Sequence, residues 1–192
     1  MSKIENNIRL ISLHIPKTAG TSFRNILFDN IGKKNFAKVD IYKSGRLLLN
    51  DKLFTGKKFT KKVNAIHGHF SYAALNQYFN LSDEVVYFTW LRNPVERVLS
   101  NYFFLKSVLA ARLQEKEDEN LLNRMGKTLK EFVQMEANQN VMSKFLEDAP
   151  LERFSFIGIQ DDFENELNRL AQITGWDTLK NRQDNVTKSQ EN

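Results

Sequence analysis

One short segment near the start of the chain has the residue types that hold a phosphate group. It follows an apolar run, residues 8–15, and consists of Lys17, Thr18, Ala19, Gly20, Thr21 and Ser22. The lysine supplies a point charge and the hydroxyls supply donors, while the glycine allows close backbone approach and an unusual dihedral angle. A helix that begins here adds its N–H groups and the positive end of its macrodipole. The segment is therefore predicted to bind a phosphate together with its substituent.

The spacing within this segment differs from that of the Walker A loop of ATP-binding proteins. The Walker A loop places its lysine directly after a glycine, in the order G-x-x-x-x-G-K-[ST]. Here Lys17 precedes Gly20, the one glycine of the segment. ATP with magnesium is therefore a weaker interpretation of the ligand.

Two histidines one residue apart form a second candidate site. His67 and His69 end an apolar stretch, residues 63–67, and flank Gly68. Histidine suits the removal of a proton from an alcohol because its ordinary pKa is about 6.5. The pair could equally bind a metal or serve the structure alone. The chain has three histidines and no cysteine, so a zinc site would need carboxylates that the sequence does not place.

A third segment carries an arginine where a strand is predicted to end. Arg92 follows the apolar run 84–91, and its guanidinium fork can bind a phosphate through two hydrogen bonds. Asn93 and the proline after it are typical of the start of a helix. Ser100 then lies about two turns into that helix. Arg97 is interpreted as a structural residue in preference to a ligand contact.

Predicted strands and helices alternate in the order needed to bring these segments together. Strands are predicted at 8–15, 63–67, 84–91 and 154–159, and helices after residue 22, near 72–79, from 94, around 129–146 and at 161–174. Residues 32–62 are expected to be mostly loop with one short strand or helix. The alternation predicts an α/β fold with a parallel sheet covered on both faces by helices. Ligands of such sheets bind beyond the carboxyl ends of the strands.

The first segment also resembles a known sequence motif. Residues 14–22 resemble the 5′-phosphosulfate loop of carbohydrate sulfotransferases, particularly the group that contains heparan sulfate 2-O-sulfotransferase. The resemblance implies a P-loop-like fold of the sulfotransferase type. It also implies 3′-phosphoadenosine 5′-phosphosulfate (PAPS) as sulfuryl donor, adenosine 3′,5′-bisphosphate (PAP) as product, and no metal.

The other two segments extend this resemblance and assign roles to residues. Residues 67–72 resemble the segment that supplies the catalytic base, which implies His69 as the base and His67 as its supporting residue. Lys17 of the first segment is expected to stabilise the negative charge that develops on the departing phosphate, which makes it a further catalytic candidate. Residues 92–102 resemble the 3′-phosphate motif, which implies Arg92 and Ser100 as its two binding residues. The family often has aspartate at the position of Asn93, so this chain departs mildly from the pattern.

The end of the chain resembles the family less completely. Residues 185–189 resemble a late loop with nucleotide contacts, which makes Thr187 and Lys188 weaker binding candidates. A polar, frayed tail is an equal interpretation. The chain is expected to form a single domain over residues 1–192 that lacks the family's usual C-terminal helix.

The charge of the chain bears on its partners. The net charge is +5, and residues 31–62 hold ten lysines and arginines but two acids. Such a surface attracts anions, although a solvated lysine-rich face is the plainer interpretation. No nucleic-acid recognition module accompanies it, so no nucleic acid is expected. No apolar run reaches the ~20 residues of a membrane span. A cytoplasmic location is predicted, with the catalytic region of a Golgi-type membrane-anchored protein as the alternative.

Together these observations predict a PAPS-dependent sulfotransferase that acts on a carbohydrate hydroxyl, with histidine as general base. One alternative is a nucleotide-binding phosphotransferase, which would need magnesium and ATP. Another is a non-catalytic module that binds an anionic glycan on the lysine-rich stretch. The sequence does not indicate the identity of the acceptor or the oligomeric state.

Overall fold

A seven-stranded sheet is the central element of the molecule. The computed structural model describes residues 3–115 and 126–176. Within these residues the strands are β1 Leu10–Leu13, β2 Phe36–Ile41, β3 Leu47–Leu49, β4 Lys52–Leu53, β5 Ala65–Gly68, β6 Val86–Leu91 and β7 Phe154–Ile159. Their order across the sheet is β4-β3-β2-β5-β1-β6-β7. Five neighbouring strands, β2, β5, β1, β6 and β7, pair in parallel, which confirms the α/β prediction.

Helices connect and cover these strands. They are α1 Gly20–Ile31, α2 Tyr72–Tyr78, α3 Pro94–Glu115, α4 Leu129–Gln134, α5 Val141–Phe145 and α6 Phe163–Thr174, with 3-10 turns at Glu136–Asn138, Leu151–Arg153 and Gln160–Asp162. The helix predicted around 129–146 is thus divided between α4 and α5. Asn140 adopts a left-handed φ of 49° directly before α5, which is incompatible with a continuous helix.

Two apolar cores lie on opposite faces of the sheet. One face buries Ile11 and Leu13 of β1 with Leu75 of α2. The other buries Phe23 of α1 and Leu170 of α6, together with aromatic side chains of β6 and β7. Consecutive residues of a strand point to opposite faces, so a strand buried on both sides must be apolar nearly throughout. This explains the short, continuous apolar runs of the sequence and confirms that helices cover both faces.

The basic stretch contains more regular structure than its sequence predicted. β2 inserts beside β5, and β3 and β4 then pair antiparallel at the edge of the sheet. The chain reverses after β2 through a turn in which Tyr42 N donates to Arg46 O at 2.9 Å and Gly45 has a φ of 81°. A tight turn of this kind joins antiparallel neighbours, whereas parallel neighbours need a crossover. The parallel sheet therefore carries an antiparallel extension that was not predicted.

The carboxyl ends of β5, β1 and β6 lie side by side. This side of the sheet, where the parallel strands end, is its carboxyl edge. The register pairs Leu13, the last residue of β1, with Gly68, the last residue of β5, and with Thr89 of β6, which continues two residues further to Leu91. The buried Thr89 Oγ1 donates to Leu13 O at 2.9 Å, and His14 N donates to Gly68 O at 2.9 Å. The loops that follow these three strands are therefore held side by side.

Gly68 allows β2 and β5 to approach each other at this edge. A Cβ atom at residue 68 would lie 1.7 Å from the Val39 carbonyl oxygen, which belongs to the backbone and has little freedom to move. We expect Gly68→Ala to lower the free energy of unfolding by about 1–3 kcal/mol or more, because overpacking forces a backbone shift. Urea unfolding measures this effect.

The matched control is Gly56→Ala. The atoms nearest to a Cβ atom at residue 56 would belong to the ring of Phe54, the first at 2.9 Å, and a side chain can move aside. Equal unfolding midpoints for the two variants would contradict the steric role of Gly68.

Candidate active site

His69 lies at the carboxyl edge of the sheet, against an acid of the neighbouring strand β2. Asp40 Oδ1 accepts a hydrogen bond from His69 N at 2.9 Å and lies 3.0 Å from His69 Nδ1. The His69 side chain is 41% exposed, whereas that of Asp40 is 8% exposed. Burial raises the pKa of Asp40, but the hydrogen bonds and charges of His69 and Lys38 outweigh it and lower the pKa to about 2. The His69 side chain is therefore accessible to a ligand from solvent while its ring contacts an ionised carboxylate.

The ring of His14 lies between those of His69 and His67. The His14 ring lies 4.3 Å from the His69 ring and 4.8 Å from the His67 ring, between centroids. His67 is buried, and its Nδ1 lies 2.8 Å from Ser12 Oγ. Burial and then the charge of His69 lower the pKa of His14 to about 3, and burial holds the pKa of His67 well below its ordinary value. Both rings are therefore neutral near pH 7, and His67 is placed to support the stack rather than to reach a substrate.

The loop between β1 and α1 has an unusual backbone at two residues. Lys17 and Ala19 adopt left-handed φ values of 71° and 64°. The buried hydroxyl of Thr18 donates to Ile15 O at 2.8 Å, so it secures the loop from inside. Ala19 precedes α1 without a capping hydrogen bond from its side chain. Because the first-turn N–H groups of a helix have no partner within the helix, this end of α1 is suited to an anion.

Gly20 serves this loop in a different way from the one predicted. The left-handed residues are Lys17 and Ala19, and Gly20 already belongs to α1. A Cβ atom at residue 20 would lie 1.9 Å from the ring of His14. The absence of a side chain at residue 20 therefore leaves space for the His14 ring. Gly20 allows this ring, and not a ligand, to approach the backbone closely.

Lys17 and Arg92 lie together although both are cations. Arg92 Nη1 lies 3.5 Å from Lys17 O, and the Arg92 Nη2 is 3.8 Å from Glu96 Oε2. Arg92 Nε is buried and has no hydrogen-bond partner among the residues that the structure describes. Burial and then the charge of Arg92 lower the pKa of Lys17. Two partly buried cations, one of which has an unused donor, favour the binding of an anion.

Helix α3 presents its Ser100 face to the same loop. Lys17 Nζ lies 3.9 Å from the centroid of the Phe104 ring. Ser100 precedes Phe104 by four residues, and residues four apart share a face of a helix. Asn93 caps α3 as predicted, since its Oδ1 accepts from Val95 N at 2.9 Å. Arg97 is buried and donates to Asn138 O at 3.3 Å, in agreement with its structural interpretation.

The structure thus brings together His67, His69, Arg92 and the loop of residues 17–22, with Ser100 on an adjacent helix face. Thr187 and Lys188 lie outside the described residues. Within 3–115 and 126–176, no group of three or more His, Cys, Asp or Glu side chains is placed so that it could hold a metal ion. No helix in the same ranges is long and apolar enough to cross a membrane.

Sequence reasoning missed Asp40, the contact of Phe104 with Lys17, and the role of His14 in the stack. Asp40 was visible only as one of two acids in a basic stretch. Its alternation with Lys38 along a strand is the one local signal that could have singled it out.

This arrangement, a phosphate-type loop between a strand and a helix beside a half-exposed histidine, agrees with the family comparison. The profile of the sulfotransferase family matches residues 2–192, so the chain belongs to the sulfotransferase family. The resemblance found in the sequence motifs is therefore confirmed.

The individual relatives include heparan sulfate 2-O-sulfotransferase 1 of Cricetulus griseus, which is 32% identical over 109 residues, and that of Homo sapiens, which is 31% identical over 109 residues. Each match covers 53% of this chain and 30% of the relative, so the chain spans about a third of the length of these proteins.

Among solved structures, mouse sulfotransferase SULT7A1 in complex with PAP superposes with a TM-score of 0.52 and 15% identity, covering 93% of this chain and 62% of that chain. At this identity the likeness concerns the fold, and it confirms the predicted sulfotransferase-type α/β sheet.

Proposed function

We propose that the chain transfers a sulfuryl group from PAPS to a hydroxyl of a carbohydrate, with His69 as general base. One observation carries the proposal. The loops after the adjacent strands β5, β1 and β6 hold His69, Lys17 and Arg92 at one edge of the sheet. A proton acceptor and two anion-binding cations on neighbouring loops are the groups that such a transfer needs.

The donor side of the proposed site consists of the loop 17–22 and Arg92. The uncapped start of α1 and Lys17 hold the 5′-phosphosulfate, with Thr18, Ala19, Thr21 and Ser22 contributing through the loop. Arg92 and Ser100 hold the 3′-phosphate, and the unused Arg92 Nε is available to it. Bound there, PAPS supplies the sulfuryl group and leaves as PAP. Lys17 stabilises the negative charge that develops on the phosphate, and no metal takes part.

The acceptor side consists of His69 and its support. His69 accepts the proton of the acceptor hydroxyl as the hydroxyl oxygen attacks the sulfur. His67 assists by holding the ring stack, since it is buried against Ser12 and His14. Both neighbouring rings are neutral, because burial lowers the pKa values of His14 and His67, and they therefore add no positive charge beside the base.

A glycan acceptor is supported by two observations. The relatives are named for heparan sulfate, a polysaccharide. The basic stretch forms β2–β4 beside His69, and Lys43 and Arg46 of its first turn are exposed. An anionic glycan would be attracted to such a surface. The cytoplasmic location and the single domain over 1–192 stay predictions.

Nucleotide binding tests the donor site. We expect calorimetry to show tighter binding of PAP than of ADP or AMP, because Arg92 binds the 3′-phosphate. Arg92→Ala should weaken PAP binding by roughly 10–100-fold, the usual value of a hydrogen bond between charged groups, and should leave ADP binding nearly unchanged.

Arg153→Ala is the matched control. Arg153 pairs with Asp83 before β6, at the opposite edge of the sheet. Equal affinity for ADP and PAP in the native chain would overturn the proposal and favour a phosphotransferase or a glycan-binding module. An equal loss of PAP affinity in Arg92→Ala and Arg153→Ala would exclude Arg92 from the donor site.

A further inference from the structure

We propose that Asp40 is a positioning residue for His69: it fixes the ring with the proton on Nδ1, so that Nε2 is free to accept the proton of the acceptor. The inference rests on the proposed function, because it assigns Asp40 a part in the same reaction. Asp40 does not itself contact the reacting atoms.

The contact between the two residues has the geometry that this role requires. Asp40 Oδ1 meets both the backbone N–H and the Nδ1 of His69, at 2.9 and 3.0 Å. One oxygen atom therefore fixes the backbone and the ring of the same residue. An ionised carboxylate can only accept hydrogen bonds, so Nδ1 must be the donor. In a neutral imidazole the other nitrogen, Nε2, is then the acceptor.

The carboxylate is itself held in place. Asp40 lies on β2, and Ile41 N next to it donates to His69 O at 2.9 Å. Lys38, two residues earlier on the same side of the strand, places its Nζ 3.3 Å from Asp40 Oδ2. The second oxygen is thus occupied by a cation, and Oδ1 stays directed at His69. A buried carboxylate with both oxygens engaged is a rigid support.

The charge of Asp40 also suits the reaction. A base becomes positive when it takes a proton, and an adjacent carboxylate stabilises that form. Asp40 supplies this charge from the side of the ring opposite to Nε2, where it does not occupy the place of the acceptor. The Asp40–His69 contact therefore orients the base and places a negative charge beside it.

Nuclear magnetic resonance of the imidazole nitrogens tests the orientation directly and needs no activity. The chain has three histidines, so the three pairs of signals can be assigned with His14→Gln and His67→Gln variants. We expect the native His69 to carry its proton on Nδ1. In Asp40→Ala, which has no acceptor there, the signal should change toward the Nε2-protonated form. A native His69 protonated on Nε2, or a signal unchanged in Asp40→Ala, would overturn the inference.

Turnover of PAPS in the presence of heparan sulfate tests the consequence. We expect Asp40→Ala to lower kcat by about 10²-fold, within the range that a general base contributes, with the Kd for PAP unchanged. The double variant Asp40→Ala/His69→Ala should be no slower than His69→Ala, because a residue that acts only through another adds nothing once its partner is removed. A further loss in the double variant would overturn the inference.

The matched control is Asp51→Asn. Asp51 also pairs with Lys38, but it is exposed and no contact to His69 is recorded in the described residues. It should leave both the His69 signals and kcat unchanged. If the native chain does not bind PAP, the proposed function fails while the nitrogen signals still decide the role of Asp40. If PAP binds and His69 is protonated on Nε2, the positioning role fails and the proposed function stands.

Discussion

A His69→Ala variant should turn over PAPS about 10²–10⁴-fold more slowly than the native chain, the usual contribution of a general base. The side chain of His69 is half-exposed. The other two histidines, His14 and His67, are neutral near pH 7 because burial lowers their pKa values. Neither neighbour can replace it, because His67 is buried and the His14 ring fills the space beside Gly20. The measurement is transfer of labelled sulfate from PAPS to heparan sulfate under saturating PAPS.

The binding of PAP separates loss of the base from loss of the fold. The Kd for PAP should be unchanged in His69→Ala, since the proposed donor site consists of the loop 17–22 and Arg92. Gln77→Ala is the control, an exposed position on α2 shortly after the histidine segment. Turnover of His69→Ala close to that of this control would exclude His69 as the base.

Lys17→Met should lower kcat by roughly 10²–10³-fold, the typical cost of removing one group that stabilises developing negative charge. Burial and the neighbouring charge of Arg92 already lower the pKa of Lys17, so its ammonium is only partly solvated and interacts strongly with an anion. Methionine keeps a similar side-chain length beside the Phe104 ring but removes the charge that lies over it. Lys17→Arg should recover part of the rate, because it restores the charge with a different geometry.

Lys106→Met is the matched control for this experiment. Lys106 also lies over an aromatic ring, that of Tyr102 at 5.2 Å, but it is not part of the loop. It should show native kcat. If the two methionine variants have similar kcat values, Lys17 does not stabilise the departing phosphate, and the loop acts through its backbone alone.

The histidine stack connects the two motifs at the ends of β1 and β5. His14 begins the loop of β1, and its ring lies between those of His67 and His69. The ring needs a residue without a side chain at position 20, and the approach of β2 needs one at position 68. The two glycines therefore connect the placement of the phosphate-type loop with the placement of His69.

Much of the fold followed from the sequence because its signals are local. The apolar run of β7, the Asn93 cap of α3 and the strand–loop–helix around Lys17 each depend on residues close in the chain. α6 ends before Gly175, which adopts the left-handed φ of 70° that glycine favours at a helix end. The candidate residues Lys17, His69 and Arg92 were placed correctly at the ends of strands for the same reason.

The sequence by itself therefore determined the α/β class and the three segments that are proposed to carry the chemistry. Only the tertiary structure decided that β2 pairs with β5 and brings Asp40 to His69, that Phe104 of α3 lies under Lys17, and that the ring of His14 requires Gly20. These contacts join residues far apart in the chain, whose meeting depends on which strands and helices become neighbours. Periodicity and capping report the local preferences of a segment, but they do not report its partner in the sheet.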